Sequence, residues 1–455
     1  MGRVESSWLS GDISPSQRQT TARHNKKMKN LAHRNIPVTI IGGGIHGISI
    51  ALRLLREIPT TEIAIVDRHP LPLTAWQRKT ERQGMTFLRS PAVHHIAPDA
   101  LGIVEYAQRH NRGDELAPPY SQPATRLFWD FCNDVLKEIA KHQDYYQFDV
   151  ATLRWDKGAG QYPFRLISTD TVGFRSRCVI LAIGSDDCCY VPLEFIPWQQ
   201  RWPERVVHAS RFSVEPNHRE GQVFHALPTE KEPIAIVGAG LTAGTLARSL
   251  SERGHEVILI ARRQLKKEQF DFPPRWLGPK ALAEFASEPD FQQRYETVQQ
   301  VRGEGSITPD IAEALREAPR VTIYTHTCVR NITEEPGQTL CLHLESSGAL
   351  SKRAYRTNVS CVILATGYQF NLRRYPFLAE LIAQHEVPLV CGLPKIDANL
   401  QLLPVANLFG TGTIAQLQLG PAAGNIAGAS LAYERLRKKI LPQFILNRPD
   451  AERAP

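Results

Sequence analysis

The chain has no long apolar run. Nowhere do about eighteen hydrophobic residues follow one another, so no segment reads as a membrane span. It also lacks a dithiol motif. Its eight cysteines, at positions 132, 178, 188, 189, 328, 341, 361 and 391, never fall at Cys-x-x-Cys spacing, which excludes a dithiol redox centre and a cysteine zinc site. The adjacent pair Cys188–Cys189 is awkward for a disulfide, so the thiols read as reduced and the compartment as cytoplasmic. No Ser-His-Asp arrangement stands out, and His94–His95 reads as loop hydrogen bonding, so no metal is expected. Concentrated charge is missing too, once the net +8 is located. Residues 1–35 carry seven Lys/Arg against Glu5 and Asp12, a net +5, which leaves +3 for the rest and argues against a nucleic-acid face. That segment has no apolar stretch of a secretory signal. A disordered basic tail is expected there, with an organellar transit peptide as the alternative.

What is present is a glycine pattern, used twice. Val38–Ile41 reads as a strand that runs into Gly42, Gly44 and Gly47, the three glycine positions of a dinucleotide-binding turn, and then into a helix with Ile48, Leu52 and Leu55 on one face. The first glycine permits the tight turn, the second lets a pyrophosphate approach the backbone, and the third lets helix pack on strand. A second strand, Glu62–Val66, ends in Asp67, twenty residues after Gly47, where an acid accepts hydrogen bonds from ribose hydroxyls. The pattern returns at Pro233–Val237, followed by Gly238, Gly240 and, in the third position, Ala243. Its second strand ends in Ala261–Arg262–Arg263 with no acid, and paired arginines there suit a 2′-phosphate. One fold ending in Asp67 and one in Arg262–Arg263 imply two different dinucleotides, most simply FAD on the first and NADPH on the second.

Between and after these turns the reading is coarser. Residues 68–100 are interrupted by Pro70, Pro72, Pro91 and Pro98 and read as a loop that walls a flat cofactor, with Trp76, Met85 and Phe87 stacking and Arg89 donating. An amphipathic helix is expected over 125–141 and a hairpin over 152–174. Two apolar strands end in small residues, Cys178–Ile183 at Gly184 and Val362–Thr366 at Gly367, letting backbone come close to a nucleotide. Residues 271–318 read as an insert of turns and helices in which Arg294, Arg302 and Ser306 are candidate contacts for the nicotinamide nucleotide or substrate. A last strand, Asn407–Phe409, meets a turn with Gly410 and Gly412. Leu419–Asn425 then opens a helix whose N-terminus suits the flavin pyrimidine end. Arg89 and Asn425 are the polar groups expected nearest the flavin ring.

The fold expected is α/β: two Rossmann-like dinucleotide-binding domains, the FAD domain interrupted by the NADP domain, with a small helical insert. The boundaries are 1–35 for the tail, 36–190 and 366–440 for the two parts of the FAD domain, 191–365 for the NADP domain with its insert at about 271–318, and 441–455 for a second tail. In this order of motifs, GGGIHG, IVD, LAIG, VGAGLTAG, ARR, ILATGY and LFGTG, the chain resembles the two-dinucleotide flavoproteins over about residues 36–437. Within them it is similar to the class B flavin monooxygenases, nearest the N-hydroxylating lysine/ornithine type. Trp76–Gln77…Gly84–Met85 resembles their Trp-His…Gly-Met segment, with Gln77 where they have His. Leu364–Tyr368 matches their Leu-Ala-Thr-Gly-Tyr, and His208–Phe212 is similar to their His-Ser-x-x-Tyr/Phe element. The resemblance implies an enzyme in which NADPH reduces FAD and a hydroperoxyflavin passes one oxygen of O2 to a small nucleophilic substrate, an amine by preference. Its partners would be that substrate and O2, with association of identical copies left open. A flavoprotein reductase or oxidase without oxygen insertion, and a non-catalytic nucleotide-binding protein, are the other readings.

Overall fold

The computed structural model describes residues 31, 34–59, 62–142, 145–170, 172–212, 233–336, 339–347 and 352–445. Nearly all of the basic N-terminal tail and the final ten residues lie outside them, whereas residues 441–445 close the described chain with a short helical turn, Pro442–Ile445.

The first half builds one sheet. Strand β1 (Asn35–Ile41) leads through the first glycine turn into helix α1 (Ile45–Leu54) and strand β2 (Ile63–Asp67). Helix α2 (Thr74–Gln83) and helix α3 (Thr125–His142) follow, then β3 (Tyr145–Gln147), β4 (Val150–Trp155), β5 (Phe164–Ser168) and β6 (Gly173–Leu181). Their spatial order is β3-β2-β1-β6-β5-β4. Strands β3, β2, β1 and β6 run parallel, and β4, β5 and the start of β6 pair antiparallel, as their alternation suggests. Val38, Ile40, Ile65 and Ile180 are wholly buried, and each such side chain stabilises the layer by about 1.5–3 kcal/mol.

The chain then crosses to a second sheet: β7 (Val206–His208), β8 (Ile234–Val237), helix α4 (Leu241–Glu252) and β9 (Val257–Ile260). Helices α5 (Pro279–Ser287), α6 (Phe291–Arg302) and α7 (Pro309–Glu317) precede β10 (Val321–Tyr324). An antiparallel sheet of β11 (Thr327–Glu335), β12 (Thr339–Ser347) and β13 (Lys352–Val359) comes next, then β14 (Cys361–Leu364). The second parallel sheet has the order β10-β9-β8-β14-β7. Finally β15 (Leu408–Gly410) returns to pair in parallel with β6, and helix α8 (Ile426–Ile440) lies against α1. The architecture is α/β with two doubly wound folds, the first completed only after the second is built.

Three expectations change. The stretch 68–100 is not loop throughout, because Thr74–Gln83 is helical, entered at Leu73 with φ +60° and closed at Gly84 with φ +62°. Gly84 supplies the left-handed C-terminal conformation that most residues avoid. The insert divides: α7 buries Ile311 and Leu315 and packs on α4, where Ile311 Cγ2 would lie 2.7 Å from a Cβ on Gly244. It is therefore the crossover helix of the second fold, while α5 and α6 lean on residues 416–422 of the first. The third concerns Leu419–Asn425, expected to open the last helix: Gly420–Ala422 is a tight turn, and the helix starts only at Ile426, after its N-cap Asn425. Among the described residues, no helix is long and apolar enough to cross a membrane.

Candidate active site

Both glycine turns stand at the carboxyl ends of their parallel strands. In the first, Gly42 N donates to Val66 O (2.8 Å) and Ala182 N to Ile41 O (2.8 Å). In the second, Gly238 N donates to Ile260 O (3.0 Å) and Ala365 N to Val237 O (2.9 Å). The three glycine positions differ in what surrounds them. A Cβ on Gly42, whose φ is +113°, would meet Ala182 O at 2.3 Å, and one on Gly47 would meet Gly42 O at 1.8 Å. On Gly44 it would meet nothing within 4 Å. The second turn repeats this: Gly238, with φ +152°, abuts Ala365 O at 2.4 Å, Gly240 faces open space, and Ala243 is fully buried. Neither following helix has a side-chain N-cap or an acid in its first turn. Their N–H groups are thus left for an anion.

The strand-end residues follow suit. Asp67 ends β2 with its carboxylate accepting from Gly43 N (2.6 Å) and His69 N (2.7 Å), so it is held at the rim of the first turn. At the end of β9, Arg262 is exposed, whereas Arg263 is already engaged. Its Nη2 donates to Glu304 O (2.8 Å) and Gly305 O (2.6 Å), and its Nε lies 2.6 Å from Glu304 Oε2. The two arginines are not an equivalent pair.

One cavity of about 880 Å³ runs between the two folds, lined by Ser185, Gly240, Arg262, Arg302, Gly367 and Gly424 among others. Arg89 reaches it but is not a free donor. Its Nε donates to Gln269 O (2.9 Å), its Nη2 to Glu268 O (2.9 Å) and Ser306 Oγ (2.7 Å), and its Nη1 to Asp271 Oδ1. Asn425 meets the same carboxylate, donating from Nδ2 to Asp271 Oδ2 (3.2 Å) while its Oδ1 accepts from Arg302 Nη1 (3.1 Å). The structure therefore joins Arg89 and Asn425 through Asp271, a residue sequence reasoning missed. Four of the five Arg89 N–H groups are spent within the protein, which corrects the expectation that it donates to a ring.

His46, inside the first glycine turn, was missed as well. Its Nε2 lies 2.9 Å from Asn425 O and its Nδ1 2.9 Å from Thr411 Oγ1. A carbonyl only accepts, so Nε2 carries the proton and Nδ1 accepts from the threonine. Burial pushes this imidazole down to about 4, against the pull of the Asn425 carbonyl. The ring is neutral and ties the first turn to β15 and to the start of α8.

The remaining candidates divide. Gly184 (φ +68°) and Gly367 (φ +82°) have open Cβ positions, as a backbone approached by a ligand requires. Gly367 O accepts from Tyr190 N (3.0 Å) and from His208 Nε2 (3.1 Å), so the passages between the sheets meet there. Gly412 has φ +66°, and a Cβ there would lie 3.9 Å from the His46 ring. Gly410 is different: it is buried, and a Cβ would strike Ile414 Cγ2 at 2.1 Å, so it serves packing within the protein. Trp76 is on a helix, its ring 5.0 Å from Phe128 and stacked at 6.2 Å on Trp129, so protein rings take up contacts expected for a cofactor. Met85 is half-buried against the first core. Arg294 is buried, donating to the carbonyls of Ala286, Glu288 and Leu417, and so holds α6 in place rather than contacting a ligand.

Comparison with known proteins agrees with this geometry. No curated protein matches the chain by sequence. By structure, it is similar to the reduced form of ornithine hydroxylase from Pseudomonas aeruginosa, with 18% identity and TM-score 0.70, covering 90% of this chain and 100% of that one. It is also similar to the FAD-bound cadaverine monooxygenase of the desferrioxamine pathway from Erwinia amylovora (15%, TM-score 0.69, 90% and 95%). A third is the ornithine N-hydroxylase from Kutzneria sp. 744, solved with reduced FAD, NADP+ and L-ornithine (15%, TM-score 0.69, 90% and 100%). At these identities the likeness establishes the fold. The family follows from sequence: the profile of L-lysine 6-monooxygenase/L-ornithine 5-monooxygenase matches residues 105–370, more than half of the chain. With its two glycine turns at the ends of two parallel sheets and this match over more than half its length, the chain belongs to the L-lysine 6-monooxygenase/L-ornithine 5-monooxygenase family.

Proposed function

We propose that the protein is an FAD-dependent, NADPH-using monooxygenase that N-hydroxylates the primary amine of a small molecule. The observation carrying this reading is the pair of glycine turns, open at Gly44 and Gly240, the second of which lines the cavity between the two folds. Residues 36–190 and 366–440 would form the FAD domain and 191–365 the NADP domain. When bound, FAD reduced by NADPH supplies the oxygen chemistry: one atom of O2 goes to the amine nitrogen and the other leaves as water.

The protein's share is holding and shielding. The Gly42–Gly47 turn and the first N–H groups of α1 would take the FAD pyrophosphate, and Asp67 the adenosine ribose. The Gly238–Ala243 turn and α4 would take that of NADPH, with Arg262 free to meet the 2′-phosphate. His46 stays neutral and fixes the Asn425 carbonyl, holding α8 against the first turn. Arg89, Asp271 and Arg302 line the cavity and interlock with one another and with Asn425, an arrangement that would narrow the path for water. Two guanidinium groups share one carboxylate there, and the excess positive charge supports a substrate bearing a carboxylate beside its amine, as L-ornithine and L-lysine do.

The test begins with the purified protein, its flavin content, and anaerobic addition of NADPH. Bound FAD that bleaches with NADPH is expected. Bleaching followed by reoxidation with no hydroxylated product from any amine would favour a reductase or oxidase. Failure to take up FAD at all would leave only a nucleotide-binding role.

A further inference from the structure

We propose that Glu304 sets the choice between NADPH and NADH, an inference that rests on the nucleotide assignment above. The first fold carries its ribose-binding acid, Asp67, at the end of its second strand. The second fold has none in the corresponding place, where β9 runs into Ala261–Arg262–Arg263. The structure supplies a carboxylate there from elsewhere. The loop between α6 and α7 turns at Gly303 (φ +58°) and Gly305 (φ +91°) and lies on the second glycine turn. A Cβ on Gly305 would be 3.5 Å from Gly240 Cα. Arg263 grips this loop by two carbonyls and by Glu304 Oε2 at 2.6 Å. Both Glu304 and Arg262 line the cavity, and the Glu304 side chain is 75% exposed, so its oxygens remain accessible to a ligand.

The two nucleotides meet opposite receptions. A ribose 2′-hydroxyl donates to a carboxylate, and Glu304, anchored by Arg263, provides one. A 2′-phosphate is repelled by that carboxylate and gains only Arg262 in full, because the charge of Arg263 is already neutralised. Glu304 therefore weakens the NADPH preference that two unpaired arginines would give, and the chain accepts NADH as a second reductant.

The experiment titrates the FAD-loaded full chain with NADP+ and, separately, NAD+, reading each dissociation constant by calorimetry. Glu304→Gln is expected to tighten NADP+ about tenfold and to weaken NAD+ severalfold. Glu304→Lys should move both further in the same directions. Arg262→Ala should weaken NADP+ while leaving NAD+ within about twofold. Unchanged NADP+/NAD+ ratios in both Glu304 variants, with flavin content and melting temperature retained, would overturn the proposal. If the wild-type chain binds neither nucleotide, the assignment of the second turn fails, and the selectivity argument with it.

Discussion

His95 shows how much a single buried group contributes to the pH response. It is 5% exposed, its Nε2 lies 3.2 Å from Ala100 O, its edge meets Phe131, and its Nδ1 has no partner. Burial pushes it to about 4, as it does His46. Both are neutral in the folded chain, while the unfolded chain protonates them below 6.5. Between 6.5 and about 4 the unfolded state thus binds more protons, and stability falls as pH falls through that window. Melting temperatures should drop steadily from pH 7 to pH 4.5. His95→Phe, which keeps the ring contact, should flatten the drop, and an unchanged slope would count against the assignment. The glycines give a second residue-scale test. Gly44→Ala should leave the melting temperature of the FAD-free protein nearly unchanged but abolish flavin retention. Gly42→Ala, which strikes Ala182 O from a left-handed backbone, should cost about 2 kcal/mol or more in folding itself. Equal melting temperatures for the two variants would contradict the division of labour between turn and cradle.

At the scale of elements, the strands and both turns were legible because apolar runs ending in spaced glycines mean little else. Helix α2 was hidden by the prolines around it. Trp76, on that helix, was read as a cofactor wall, and its partners Phe128 and Trp129 lie far along the chain. The same limit hid Asp271, which pairs with Arg89 across 182 residues, and Glu304, which reaches Arg263 from the loop between α6 and α7. Local patterns specify elements; they do not name the residues that distant elements bring to a site. The Arg89–Asp271–Asn425 clasp joins the segment that follows α2, the start of the insert and the cap of α8. Asp271→Asn removes the charge shared by Arg89 and Arg302 but retains a similar shape. It should raise the KM for the amine severalfold or more and increase NADPH oxidation without product, with little change in the KM for NADPH. A variant with wild-type coupling would show that the clasp is remote from the amine.

At the scale of the whole molecule, the function depends on two folds built from interleaved segments, the first sheet finished by β15 only after the second is complete. This is why the carboxyl edges of both sheets can border one cavity. Replacing Arg262 with Ala should raise the KM for NADPH much more than that for NADH, whereas Arg263→Ala, which frees Glu304, should disturb both; equal effects of the Arg262 variant would remove the second turn's specificity argument. The proposed reaction inserts oxygen at an amine nitrogen. Its most direct measurement is stoichiometry: the FAD-loaded protein is supplied with NADPH, O2 and, in turn, L-ornithine, L-lysine and cadaverine, and hydroxylamine product is counted against NADPH consumed. Close to one hydroxylated amine per NADPH is expected with an amino-acid substrate, and less with the diamine, which lacks a carboxylate. NADPH consumed with hydrogen peroxide as the only oxygen product for every amine would contradict oxygen insertion.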